Sequence, residues 1–264
     1  MNNFSEIRVE KKFDKSPKQE DFTFHIDNFY EIYYFLSGNA RYVIEGMVYP
    51  LRKGDLILLR PAESHRLILQ SGTAYQRTVI HFTLSDLHNT MAEKMMCPFI
   101  NRPLGKFNFY PSSIISSYNL IYYIDKIINS NDNDIRSAYL TVLLCELADI
   151  FEHIQNLDIE IESTSITNII YYINAHLSQK ISLQQICDSF FISKSQLNRS
   201  FKHTLGITVW EYITEKRLLL AKKYIDNGEK ATKIYSNCGF SDYSVFYRAY
   251  RSKFGISPSQ SKPG

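Results

Sequence analysis

Between residues 22 and 83, apolar and polar positions alternate in short runs, not at helical spacing. Runs at 31–36, 41–45, 47–51, 56–59, 65–69 and 75–82 are rich in aromatic and β-branched residues. Turn-forming residues separate them: Ser37-Gly38-Asn39, Gly46, Lys53-Gly54-Asp55 and Pro61-Ala62-Glu63-Ser64. Period two with regularly spaced turns predicts a small β-barrel or sandwich over about 20–83. Within 31–36, alternation puts Glu31, Tyr33 and Phe35 on one face and Ile32, Tyr34 and Leu36 on the other, without saying which faces inward.

After Thr83 the period lengthens. Helical spacing at 114–129 and 135–154 predicts two helices joined at Asn131-Asp132-Asn133-Asp134. Ile135, Tyr139, Val142, Leu143, Leu147 and Ile150 form a stripe that packs on the barrel or, alternatively, makes a dimer seam. The polar, acidic stretch 156–164 reads as a linker between a first domain, 1–155, and a second, 165–264. From there the chain is a series of capped helices. They fall at 166–177, 183–189 (cap Ser182), 194–203 (cap Ser193, stop Gly206), 208–226 (cap Thr208), 231–237, and 243–254 (cap Asp242, stop Gly255). The expected fold class is therefore a two-domain α+β chain, a β-barrel with a helical segment followed by an all-α domain.

Composition adds little until the chain is divided. Its 264 residues are 44% hydrophobic and 22% charged, ordinary for a globular chain. No apolar run is long enough to span a membrane and no secretory leader is visible. Cys97, Cys145, Cys187 and Cys238 form no CxxC pair, which argues against a zinc site or a disulfide framework and fits a reducing cytoplasm. The net charge is only +3, yet residues 1–164 hold 16 Lys+Arg against 21 Asp+Glu, while 165–264 hold 14 against 6. A basic segment on an acidic one points to a nucleic-acid module joined to something else. Phosphate-cradling loops and hydrolase motifs are absent, so no catalytic residue and no cofactor are expected.

The basic segment contains one plan twice. In 183–206 and again in 233–255, a short helix, a tight turn and a polar-capped helix end in Gly. This is a doubled helix-turn-helix, about 183–204 and 231–254, bridged by the helix 208–226. A capped helix enters the major groove with its N-terminal side chains at the base edges. In the first unit Leu197 and Phe201 face the core, leaving Ser195, Asn198, Arg199 and Lys202 outward. In the second, Phe246 and Tyr250 are the core pair, and Tyr243, Ser244, Tyr247, Arg248 and Arg251 point out. Arg reads guanine and Asn reads adenine with paired donors and acceptors. Lys194, Lys202, Arg251 and Lys253 suit phosphates.

These residues resemble the AraC/XylS, or arabinose-regulator, family of bacterial transcription factors. The resemblance rests on Ile181-Ser-Leu-x-x-Ile-Cys, Ile192-Ser-Lys-Ser-x-Leu-x-Arg-x-Phe-Lys, Gly206, Glu211-Tyr-Ile, Arg217-Leu-x-x-Ala221 and Gly239-Phe-Ser-Asp-x-Ser-x-Phe-x-Arg-x-Tyr-Arg-x-x-Phe-Gly-Ile-Ser-Pro258. It implies two recognition helices in successive major grooves, with Ser195, Asn198, Arg199, Ser244, Val245 and Arg248 at the bases. Two departures stand out. Ile234-Tyr235 replaces the family's Ile-Ala, and Ser257-Pro-Ser-Gln-Ser-Lys262 lacks its terminal aromatic, which implies weaker tail packing.

The first half resembles the cupin-type sensor barrel of such regulators in 24–38 and 53–65. Enzymatic cupins carry His-x-His-x(3–4)-Glu and a later His around a metal. Here the pattern is His25-Ile-Asp27, Glu31 and His65, and since sensor cupins usually carry no metal, none is expected. A barrel mouth offers a cavity with a few polar groups. His25, Arg41, His65 and His81 are candidate ligand contacts, and the 19 Tyr and 17 Phe leave room for an aromatic pocket of the kind that binds sugars. The chain thus reads as a non-enzymatic, cytoplasmic, sequence-specific regulator of promoter DNA. It is modulated by a small molecule and, by resemblance, activates through RNA polymerase, with homodimerisation through 112–155 as a further expectation. The alternatives are a metal-dependent cupin enzyme fused to a DNA-binding domain, or a regulator without a ligand.

Overall fold

The computed structural model describes residues 6–87, 92–157 and 161–261. Residues 158–160 of the expected linker and Lys262 of the terminal motif lie outside the described residues. The chain divides into two compact units, 1–162 and 163–264.

The first unit is built on two antiparallel sheets. Their strands are β1 (Arg8–Asp14), β2 (His25–Ile26), β3 (Tyr30–Ser37), β4 (Ala40–Ile44), β5 (Met47–Pro50), β6 (Leu56–Leu59), β7 (Ser64–Leu69), β8 (Tyr75–Phe82), β9 (Phe109–Tyr110) and β10 (Glu162–Ser163). One sheet runs β1-β8-β3-β6-β9 and the other β10-β5-β4-β7-β2, so the ladders form a flattened, open barrel. The β4–β5 hairpin shows how sequence sets register. Glu45 and Gly46 both take positive φ (48° and 79°), the two-residue turn whose twist matches its strands, and Ile44 then pairs with Met47.

Alternation in β3 now acquires a direction. Tyr33 and Phe35 face the second sheet and join Tyr42, Tyr49, Tyr75, Leu67 and Val79 in the inter-sheet core. Ile32 faces the other way, with Leu56, Leu58, Ile80 and Phe82. That outer face is covered by helices: α1 (Ala92–Met95), α2 (Cys97–Ile100), α3 (Ser112–Ile115), α4 (Leu120–Asn129) and α5 (Asn133–Gln155). A sheet covered on both faces explains why Leu56-Ile57-Leu58-Leu59 lacks a polar position and is buried throughout. Each such side chain contributes about 1.5–3 kcal/mol by leaving water.

The structure differs from the expected helices in two places. The span 114–129 breaks at 116–119 into α3 and α4. The stripe on α5 is also rotated from the one expected. Leu143, Leu147 and Ile150 are buried with Leu140, Leu144, Phe151 and Ile154, whereas Ile135 and Val142 are solvent-exposed. Asp132 caps α5 by accepting from the amides of Asp134 and Ile135 at 2.8 and 3.1 Å.

One buried polar network organises the loops beneath the sheets. Arg102 donates to both Glu63 oxygens at 2.6 and 2.7 Å, and Gly105 and Asn108 donate to the same carboxylate. Burial opposes ionisation of Glu63, but Arg102 outweighs it and holds its pKa below the usual carboxylate range.

The second unit contains α6 (Thr167–Ala175), α7 (Leu183–Phe190), α8 (Lys194–Leu205), α9 (Val209–Asp226), α10 (Ala231–Ile234) and α11 (Tyr243–Phe254). Ser182 with Gln185, and Thr208 with Glu211, form capping boxes at α7 and α9. The start of α6 has no side-chain cap. Tyr235, the departure from Ala, joins the aromatic core beside Tyr243 and Phe246 at 5.5 and 6.5 Å. The tail without its aromatic is held instead by a 2.9 Å hydrogen bond between Tyr250 and Ser261 hydroxyls.

Candidate DNA-binding helices and ligand cavity

Both expected recognition helices start and stop by the same chemistry. At α8 the Ser193 hydroxyl accepts from the Gln196 amide at 3.1 Å, and Gly206 closes the helix at φ +82°. At α11 Asp242 accepts from the Val245 amide at 2.9 Å, and Gly255 closes it at φ +73°. Leu197, Phe201, Thr204 and Leu205 bury one face of α8, and Phe246 and Tyr250 bury one face of α11.

The opposite faces carry most of the expected contacts. Lys194, Ser195, Arg199 and Lys202 are exposed on α8, and Ser244, Val245, Arg248 and Arg251 are exposed on α11. Lys202 pairs with Glu211 at 3.7 Å across the surface, and Lys253, half-buried, pairs with Glu215. Two residues are placed otherwise than expected. Asn198 follows the core residue Leu197 by one step, about 100° round the helix, and its amide is engaged within the protein. It donates to the Lys194 carbonyl at 3.2 Å and accepts from the Val209 amide at 3.4 Å, tying α8 to α9. Tyr243 is half-buried, its ring packed against Tyr235 and Phe246.

A residue outside the expected contact set fixes this frame. Arg217 on α9 is 4% exposed and donates from Nε to the Leu177 carbonyl at 3.0 Å and from Nη2 to the Gln179 carbonyl at 2.8 Å. Gly239, at φ +84°, lies against it, and a Cβ there would stand 2.5 Å from Nε and 2.3 Å from the Leu177 oxygen. Only glycine fits that turn.

In the first unit a cavity of about 210 Å³ opens against the inner face of the β1-β8-β3 sheet. Its walls are the aromatic residues Phe22, Phe29, Tyr33, Tyr42 and Tyr75, with the carboxylates of Glu10, Asp21, Asp27 and Glu31 and the cations Lys12 and Arg77. Strand pairing sets its polar groups. Glu31 stands opposite His81 across β3 and β8, and His81 Nε2 lies 2.9 Å from its carboxylate. Burial opposes ionisation of Glu31. The hydrogen bond to His81 and the fields of His65, His81 and His25 outweigh it and hold the pKa at about 2. Burial pushes the phenol of Tyr75 up to about 12, and the Tyr33 and Tyr75 hydroxyls share a 2.7 Å hydrogen bond.

Of the four expected ligand contacts, His25 and His81 line the cavity. His65 lies behind, buried, its ring stacked on Tyr42 at 5.9 Å. Arg41 is absent from the lining and pairs with Glu162 at 3.1 Å; it is the one half-buried position of β4, and its neighbours Ala40 and Tyr42 are buried. Arg77 was missed, although the spacing Tyr75-x-Arg77-x-Val79-x-His81 puts it on the face of His81.

A basic helical unit with two capped, cation-bearing helices, and a separate unit with an aromatic-walled recess, define a DNA-binding transcription regulator with a ligand-binding domain. Comparison with known proteins agrees. The AraC-like ligand binding domain matches residues 13–95, and a helix-turn-helix domain matches residues 186–262. The HTH-type transcriptional activator RhaS of Escherichia coli is 22% identical over 93% of this chain and 89% of its own length. The HTH-type transcriptional regulator YfiF of Bacillus subtilis is 27% identical over 89% of this chain and 76% of its own. The probable transcriptional regulator LumQ of Photobacterium leiognathi is 36% identical over 38% of this chain, which spans 41% of LumQ. The chain thus carries both parts of an AraC-type transcription regulator, an AraC-like ligand binding domain followed by a helix-turn-helix domain. Among the described residues, no helix is long and apolar enough to cross a membrane.

Proposed function

We propose that this chain is a cytoplasmic, non-enzymatic activator. It reads promoter DNA with α8 and α11 and changes that binding when a small molecule occupies the first unit. The carrying observation is the pair of capped helices with Arg199 and Arg248 exposed. In this reading Ser195, Arg199, Ser244, Val245 and Arg248 meet base edges, and Lys194, Lys202, Arg251 and Lys253 meet phosphates. Asn198 and Tyr243, both committed within the protein, act by holding the helices. RhaS carries the name of an activator, which supports activation here, and in this reading the activator works through contact with RNA polymerase. Promoter sites with two half-sites would also favour a homodimer. Residues 156–164 act as the linker between the sensing and DNA-binding domains.

The cavity supports an effector that is small and rich in hydrogen-bonding groups. Its aromatic walls offer ring faces, and four carboxylates outnumber its two fixed cations, Lys12 and Arg77. A polyhydroxylated molecule of sugar type fits that chemistry. His25 and His81 are its contacts, joined by Arg77 and Glu31, while His65 supports Tyr42 from behind.

The experiment compares variants of the full chain on a selected site and on random duplex. Arg199→Ala or Arg248→Ala costs about 1–3 kcal/mol on the specific site and relaxes preference at one base pair. Lys202→Ala weakens all duplexes alike and flattens the salt slope by about one unit. Equal weakening of specific and random DNA by both arginine variants overturns the base-reading roles.

A further inference from the structure

The turn between α7 and α8 holds a side chain that the fold does not use. Phe191 closes α7 in the left-handed region, at φ +53° and ψ +42°. Its amide and that of Ile192 both donate to the Cys187 carbonyl, the latter at 3.1 Å, so the main chain alone makes the turn. A Cβ disfavours that conformation, which glycine adopts freely. The chain uses glycine for the same task elsewhere. Gly239, at φ +84°, turns the chain ahead of α11, and Gly206 and Gly255 close α8 and α11. Four non-glycine residues among the described ones take positive φ. Glu45 is buried and Ala62 and Phe107 are half-buried, but Phe191 is 94% exposed. The next most exposed large apolar side chain among the described residues is Phe13, at 60%.

A strained backbone and a solvated aromatic ring both cost stability, and the exposed ring has little contact to offset either. Strain of this kind is retained where a site needs it. Position says which site. Phe191 precedes Ser193, the cap of α8, by two residues, no more than about 7 Å of extended chain. The ring therefore stands beside the end of α8 that enters the groove. Base edges offer donors, acceptors and, on thymine alone, a C5 methyl, which needs an apolar neighbour. In the second unit Val245, exposed on α11, can supply one. In the first unit the exposed positions of α8 are Lys194, Ser195, Gln196, Arg199, Lys202 and His203, all polar.

We propose that Phe191 is a specificity-determining residue of the first unit, its ring packing on the C5 methyl of one thymine at the edge of the groove that α8 enters. The assignment rests on the reading of α8 as a recognition helix. It adds an apolar contact to a helix that otherwise reads bases through hydrogen bonds, and it makes the first unit favour thymine at one position.

The test measures equilibrium binding of the full chain to a duplex selected from a random pool. Each thymine in the protected segments is replaced in turn by deoxyuridine, which lacks only the methyl. Arg199→Ala, by the base pair whose preference it relaxes, marks the segment that α8 occupies. One deoxyuridine in that segment should weaken the native chain about 4-fold, the effect of burying one methylene-sized group. Phe191→Gly and Phe191→Asn both accept a left-handed φ, and their melting temperatures should not fall. Each should bind the thymine duplex at least about 4-fold less tightly and no longer distinguish it from the deoxyuridine duplex. Arg199→Ala should keep that distinction. An unchanged deoxyuridine response in both Phe191 variants overturns the thymine contact. Equal weakening of specific and random duplexes overturns it too, and places the ring against the backbone. In either case a base pair still relaxed by Arg199→Ala leaves the reading of α8 standing without Phe191. A pool with no preferred sequence overturns both.

Discussion

Removing the Arg217 side chain tests the helical frame at its most connected point. Arg217→Ala deletes two charge-assisted hydrogen bonds, to Leu177 and Gln179, and leaves both carbonyls facing a void beside Gly239. Hydrogen bonds to charged groups contribute about 1.5–3 kcal/mol each. Losing both amounts to roughly 3–6 kcal/mol, against a total stability of about 5–15 kcal/mol for a natural domain. Arg217→Met keeps the volume and loses only the polar part, so its cost is smaller by the cavity contribution. The assay is urea unfolding of the full chain followed by tryptophan fluorescence. Trp210 is the single tryptophan and lies on α9, so it reports the helical unit alone. The Arg217→Ala midpoint should fall far enough to correspond to at least about 3 kcal/mol, with an unchanged slope. A change below about 1 kcal/mol refutes the claim that Arg217 ties these segments together.

Other perturbations probe separate links. Phe191 takes φ +53° while 94% exposed, so Phe191→Gly relieves left-handed strain and stabilises the helical unit by about 0.5–1 kcal/mol. A loss of stability by the same fluorescence assay would mean that the ring has an unseen role in folding. Asn198→Ala should cost about 1 kcal/mol of stability and weaken specific and random DNA alike, whereas a change of base preference would return Asn198 to the groove. For Glu31 the folded pKa of about 2 lies below the ordinary 4.5. Its ionisation therefore stabilises the fold above about pH 5, and that contribution, of order 3 kcal/mol, is lost as pH falls toward 2. Glu31→Gln should flatten that acid limb in pH-dependent melts of the first unit, and parallel curves would contradict the sign.

The helical unit was the more legible half because its signals are local. Caps at Ser182, Ser193, Thr208 and Asp242 and stops at Gly206 and Gly255 act within four residues of themselves, and each helix lies where they put it. Arg217 stands in a recognisable motif, but its task depends on Leu177, 40 residues away, which no local pattern reveals. In the first unit the middle strands were readable from alternation, yet β1 was not. Arg8-Val-Glu-Lys-Lys-Phe-Asp14 is an edge strand, and its charges disguise the pattern while discouraging further pairing. The His25–His65 register is likewise a long-range fact. The sequence supplies the residues, and only the pairing of β2 with β7 shows that they meet. The placing of Arg41 away from the cavity is a long-range fact too, since the inward face of β4 is decided by the opposite sheet.

Footprinting the full chain on a duplex selected from a random pool tests the DNA reading most directly. Two protected major-groove segments should appear on one face of the helix, about 10 base pairs apart, with affinity that falls steeply as salt rises. A pool that yields no preferred sequence, or a single protected groove that persists unchanged when Arg248 is replaced, would contradict a protein that grips DNA with both helices.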